Sequence, residues 1–184
     1  MYSAISGMRG ICALYKPASA SISRPFRRRR SSAYETIREL GQARGLIAIN
    51  HPNLKIITHH FGGIVPMLEG RLGPGQDVLG SRTSDEDYVS LRKSLKKRPL
   101  DYFKQDFYAD TAVFGATPAT ECGLEFYPID KIVFASDCPF DPENGAMYPR
   151  ETLRILESLN LDKATSDKIF YKNLEAVTGR KLVK

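Results

Sequence analysis

Three short apolar runs, each ending on a polar or charged residue, organise this chain. Leu54-Lys55-Ile56-Ile57-Thr58 runs into His59-His60 and the pair Gly62-Gly63, Phe107-Tyr108-Ala109 runs into Asp110, and Lys131-Ile132-Val133-Phe134-Ala135-Ser136 runs into Asp137. Runs of this length bounded by turn residues predict buried parallel strands near 54–59, 107–111 and 131–136. Helical patterns fill the intervals. Ile37 and Leu40 ahead of Gly41 predict a short helix, and Leu46–Ile49 reads as a strand or a loop entry. A helix is expected over about 64–72. Ser84-Asp85-Glu86-Asp87 supplies cap chemistry for a helix with Tyr88, Leu91 and Leu95 on one face. Pro99 opens another short helix, and residues 116–126 a further one. Pro149 starts an amphipathic helix with Leu153, Leu156 and Leu159, and a last pair of helices carries Ile169, Phe170, Leu174 and Val177.

Strands alternating with helices in this order demand parallel pairing through right-handed crossovers, so the fold class is α/β. An eight-stranded (β/α)8 barrel typically takes roughly 250 residues. Three strand units therefore predict a partial barrel, corresponding to its final third or so.

With 184 residues, 42% of them apolar and 26% charged, the chain has the make-up of a globular domain with a true core. Lys and Asp interrupt every hydrophobic run before the roughly 18 apolar residues of a membrane span, so no membrane role is expected. The net charge of +6 suggests nucleic acid until the charges are placed. Residues 1–34 hold seven of the 27 Lys and Arg and no acid, leaving 20 bases against 21 acids elsewhere. Nucleic-acid binding is therefore not expected of the body. The division predicted is a basic leader over 1–33, disordered or transit-like, and a domain over 34–184. The expected location is cytoplasmic, or mitochondrial if the Arg- and Ser-rich leader is a transit peptide. Cys12, Cys122 and Cys138 have no C-x-x-C spacing and make neither a disulfide framework nor a structural zinc motif.

The candidate chemistry lies at the C-terminal ends of the three strands, where α/β folds assemble their sites. His60 and Asp137 are the leading pair, with His59 and Asp110 as supporting candidates. Taken alone, a His-His pair at a strand end also suits a hydrogen-bonded structural role, and Asp137 ahead of Pro139 also suits a loop cap. Alternation along a strand would send His59 to the side opposite His60.

Residues 52 to about 180 resemble the C-terminal part of the amidohydrolase-related family, which includes aminocarboxymuconate-semialdehyde, resorcylate and dihydroxybenzoate decarboxylases. Pro52-Asn53-Leu54-Lys55-Ile56 through His60-Phe61-Gly62-Gly63 is similar to the family's sixth strand, Phe107–Ala112 to its seventh, and Phe134-Ala135-Ser136-Asp137-Cys138-Pro139-Phe140 to its eighth. The resemblance implies a metal-dependent decarboxylase or hydrolase acting on a small carboxylated aromatic or unsaturated substrate. It implies a divalent metal, most commonly zinc, with Asp137 as a ligand and His60 as the acid or base beside it. The family's remaining ligands are an H-x-H or E-x-H pair and a further histidine, and the chain, with only His51, His59 and His60, lacks that pair. One aspartate falls short of the three protein ligands of catalytic zinc. The alternative expectation is accordingly a truncated, inactive remnant serving as a partner or dimerisation module, and a homo-oligomer is compatible with either reading.

Overall fold

The computed structural model describes residues 51, 53–78 and 88–183. The leader, the helix expected over 34–41, the run 46–49, Cys12 and the cap residues 84–87 lie outside the described residues, as do the side chains of Tyr88 and Leu91.

Three strands, β1 (Ile56–Thr58), β2 (Phe107–Asp110) and β3 (Ile132–Val133), form one parallel sheet in the order β1-β2-β3. Thr58 pairs with Ala109 and Ala109 with Ile132, so the three polar ends emerge on the same edge of the sheet. β2 is central and buried at all four positions, which explains why its sequence is apolar up to Asp110. Each strand is shorter than its apolar run. Beyond Thr58 the chain turns into a 3-10 turn, His60–Gly62. Beyond Val133 the ladder is continued by a side chain, because the Thr111 hydroxyl donates to the Ala135 carbonyl at 2.9 Å and accepts from the Ala135 N–H at 3.1 Å.

Five helices lie between β1 and the last turn of the described chain before its C-terminal helical stretch. They are α1 (Glu69–Asp77), α2 (Tyr88–Ser94), α3 (Pro99–Gln105), α4 (Thr117–Phe126) and α5 (Met147–Ser158). The helix expected over 64–72 is displaced, with turns occupying 63–68 and α1 carrying Pro74 and three glycines. Packing overrides propensity there. Leu72, Gly73 and Gln76 are buried, and a Cβ at Gly73 would stand 3.2 Å from Leu100 of α3, so the glycine permits the close approach. In α5 the inward face is Thr152, Ile155 and Leu156, not the expected stripe: Leu153 is exposed and Leu159 only half-buried.

The expected last pair of helices is one continuous stretch, α6 (Lys163–Asp167), a π-helical turn (Lys168–Lys172) and α7 (Asn173–Thr178). The π turn releases backbone groups from the regular ladder. The Ile169 carbonyl accepts the Phe134 N–H at 2.8 Å, and buried Asn173 donates to the carbonyls of Ile129 and Ile132, both at 2.7 Å. These bonds moor the C-terminal helices to β3 and orient the segment leading to Asp137. One core cluster includes Phe61, Leu72, Phe103, Phe107, Phe126, Tyr127, Ile132, Leu156 and Ile169.

Candidate active site at the C-terminal edge of the sheet

The histidine turn is built from the core outward. Phe61, 2% exposed, is driven into the cluster, and Gly123 of α4 leaves the space its ring fills. Burying that ring while the chain reverses forces His60 (φ 54°) and Phe61 (φ 49°) into the left-handed region, a costly conformation for residues with a Cβ. Gly62 (φ 75°) and Gly63 (φ 65°) continue the reversal without that cost, and Gly62 also clears the Tyr127 hydroxyl.

Asp110 holds the turn in place. Its carboxylate, 3% exposed, accepts the His60 backbone N–H at 2.7 Å and the Ala112 N–H at 3.1 Å through Oδ1, and pairs with His59 Nδ1 at 2.8 Å through Oδ2. His60 Nδ1 lies 2.5 Å from the Ala112 carbonyl. The His59 and His60 rings sit 5.6 Å apart. The expectation that His59 points to the opposite side is therefore corrected: strand alternation ends at Thr58, and both imidazoles meet the end of β2. The His60 ring also meets Phe114 edge-on at 5.2 Å, and Phe114 stacks on Tyr148 at 4.1 Å, forming an aromatic wall beside the imidazole.

Asp137 follows β3 in the left-handed conformation, φ 61°, and is half-buried. Its carbonyl accepts the Phe140 N–H at 3.1 Å, and among the described residues no hydrogen bond or ion pair reaches its carboxylate or joins it to either histidine. Cys138 beside it is exposed. Asp141 fastens the following loop by accepting from the N–H groups of Glu143, Gly145 and Tyr148. Desolvation works against its charge, yet these N–H groups prevail and hold its carboxyl below the ordinary carboxylate range.

No three His, Cys, Asp or Glu side chains gather as a metal-binding group among the described residues. A groove of about 250 Å³ lies elsewhere, lined by Lys55, Lys97, Lys131 and Phe107 at the opposite edge of the sheet; neither His60 nor Asp137 lines it. Sequence reading missed the clamp by Asp110, the Ala112 carbonyl and the Phe114–Tyr148 wall. Only Asp110 had a signal, a carboxylate ending an apolar strand.

Residues 43–177 match the Amidohydrolase family. The chain belongs to the amidohydrolase family. Among solved structures, it is similar to 5-carboxyvanillate decarboxylase of Novosphingobium aromaticivorans, determined with manganese and 3-methoxy-4-hydroxy-5-nitrobenzoic acid, at 22% identity and a TM-score of 0.63, covering 80% of this chain and 40% of that one. It is similar to dihydroxybenzoic acid decarboxylase of Polaromonas sp. JS666, determined with manganese and 2-nitroresorcinol, at 23% identity, a TM-score of 0.57 and the same two coverages. A 2,6-dihydroxybenzoate decarboxylase from Rhizobium matches at 22% identity and a TM-score of 0.56, covering 79% of this chain and 40% of that one. No curated protein sequence matches. The amidohydrolase chain thus spans about 40% of the length of these relatives, and its parallel sheet is part of a (β/α)8 barrel. The metal in two of the three is manganese, which supports a divalent metal in the family without supporting zinc. No described helix is long and apolar enough to cross a membrane.

Proposed function

We propose that the chain carries the proton-handling part of a decarboxylase site for small carboxylated aromatic substrates, with His60 as the group that transfers the proton. The observation that carries this reading is the placement of His60. Its backbone is fixed by Asp110, its Nδ1 is engaged by the Ala112 carbonyl, and an aromatic wall of Phe114 and Tyr148 stands beside it. A protonated His60 would deliver its Nε2 proton to the ring carbon that bears the carboxylate; the C–C bond then breaks, carbon dioxide leaves, and the bonding pair restores the aromatic ring. Asp137 is proposed as one ligand of a divalent metal. Decarboxylation is preferred to hydrolysis because three of the similar solved structures are decarboxylases of carboxylated phenols.

The test is carbon dioxide release from 2,6-dihydroxybenzoate or 5-carboxyvanillate by the intact chain supplied with manganese. Turnover that falls at least about a hundredfold in His60→Gln supports the assignment, since general acid–base catalysis typically contributes 10²–10⁴. Turnover unchanged by that substitution overturns it.

A second reading rests on the sheet itself. Among the described residues β1 and β3 are both edges, and Met67 (76% exposed) and Phe140 (77% exposed) leave apolar surface in solvent. Such features suit pairing with another chain. Absence of turnover, with concentration-dependent dimerisation in sedimentation, would favour this module over the enzyme.

A further inference from the structure

We propose that Asp110 is a positioning residue that fixes the tautomers of two imidazoles at once, so that His59 and His60 both present an unprotonated Nε2 from the same edge of the sheet. The inference deepens the reading of this turn as the proton-handling end of the site. It concerns the resting chain and does not depend on turnover.

The argument follows from which atoms can only accept. A carboxylate accepts and does not donate, so the 2.8 Å contact between Asp110 Oδ2 and His59 requires the proton on His59 Nδ1. A carbonyl likewise only accepts, so the 2.5 Å contact between the Ala112 oxygen and His60 requires the proton on His60 Nδ1. In each neutral ring the lone pair is then left on Nε2, because the partner of one ring nitrogen sets the state of the other. The two constraints share one source. Asp110 Oδ1 also accepts from the N–H of Ala112 and of His60, and so sets where the Ala112 carbonyl and the His60 ring meet. His59 is 64% exposed, whereas the Asp110 side chain is 3% exposed. With ring centroids 5.6 Å apart, the result is two proton acceptors on neighbouring rings. A single histidine backed by an aspartate would offer one.

Long-range nitrogen–proton NMR of the intact chain at alkaline pH reads this directly. His51 is exposed and serves as the internal reference for an unrestrained ring. Wild-type His59 and His60 should both be predominantly protonated on Nδ1, opposite to His51. Asp110→Asn keeps one oxygen for the two backbone N–H groups and turns an amide N–H₂ toward His59. That variant should switch His59 to the Nε2–H form while His60 stays on Nδ1. A role confined to stability would move the melting temperature without exchanging one tautomer for the other. If wild-type His59 matches His51, or if His59 is unchanged in Asp110→Asn, the proposal is overturned. The wild-type spectrum decides even if the variant fails to fold. A chain with these tautomers and no decarboxylation would sink the function proposed above and leave this assignment standing.

Discussion

Asp110→Ala is expected to be among the most destabilising single substitutions in the chain, costing about 3–5 kcal/mol. The carboxylate is buried and satisfies three donors: the His60 N–H, the Ala112 N–H and the His59 ring. Truncation to a methyl group leaves the two backbone N–H groups without an acceptor, at about 1–3 kcal/mol each when water cannot replace it. The lost His59 pair adds less, because that imidazole is mostly in solvent and its own desolvation is small. At about 2–4 °C per kcal/mol for a chain of this size, thermal unfolding should move down by roughly 10 °C or more. Asp110→Asn, which retains one oxygen, should lose only about 1–2 kcal/mol. Equal losses in the two variants, measured by calorimetry, would show that charge and not backbone satisfaction is what Asp110 supplies.

The same residue marks where sequence reading succeeds and where it stops. Its position at the end of an apolar run was legible, as were those of His60 and Asp137, because buried parallel strands need near-continuous hydrophobics and terminate on polar residues. The helices at Pro99 and over 117–126 were legible for the same kind of reason, since proline at a helix start and apolar spacing are local signals. The clamp was not legible, for it joins residues 50 positions apart, and nothing near His60 announces that its N–H needs an acceptor. Alternation misplaces His59 because the strand ends at Thr58, two residues before His60. The reversal begins at His60 itself, ahead of the glycines that signal it. Helix α1 lies beyond the expected 64–72 because its glycines and proline argue against a helix locally, and contact with α3 offsets them.

Gly123→Ala is the second substitution expected to act strongly, and its sign has to be decided between opposing effects. In an exposed helix interior, alanine would stabilise by roughly 1 kcal/mol relative to glycine. Here the added Cβ would overlap three atoms of Phe61, including that residue's own Cβ, and no rotamer change removes a clash at Cβ. Phe61 cannot retreat, being 2% exposed within the core and tied at φ 49° between His60 and Gly62. The options left are to push α4 away from the turn or to lift the turn off the core. Overpacking of a close-packed interior typically costs 1–3 kcal/mol and occasionally more. The net expected loss is about 2 kcal/mol, with a fall of some 4–8 °C in the unfolding midpoint. The backbone displacement should also lengthen the contact between His60 and Ala112, so the His60 tautomer should become mixed in the spectrum that is uniform in the wild type. Phe61→Ala alone removes a buried ring and should cost about 3–5 kcal/mol. In the double variant the new methyl group occupies part of the space the ring vacated, so the combined loss should fall below the sum of the two single losses by about 1 kcal/mol or more. Strict additivity in that cycle would mean that α4 and the histidine turn do not press on one another, and the core would then not be what holds His60 in its left-handed conformation.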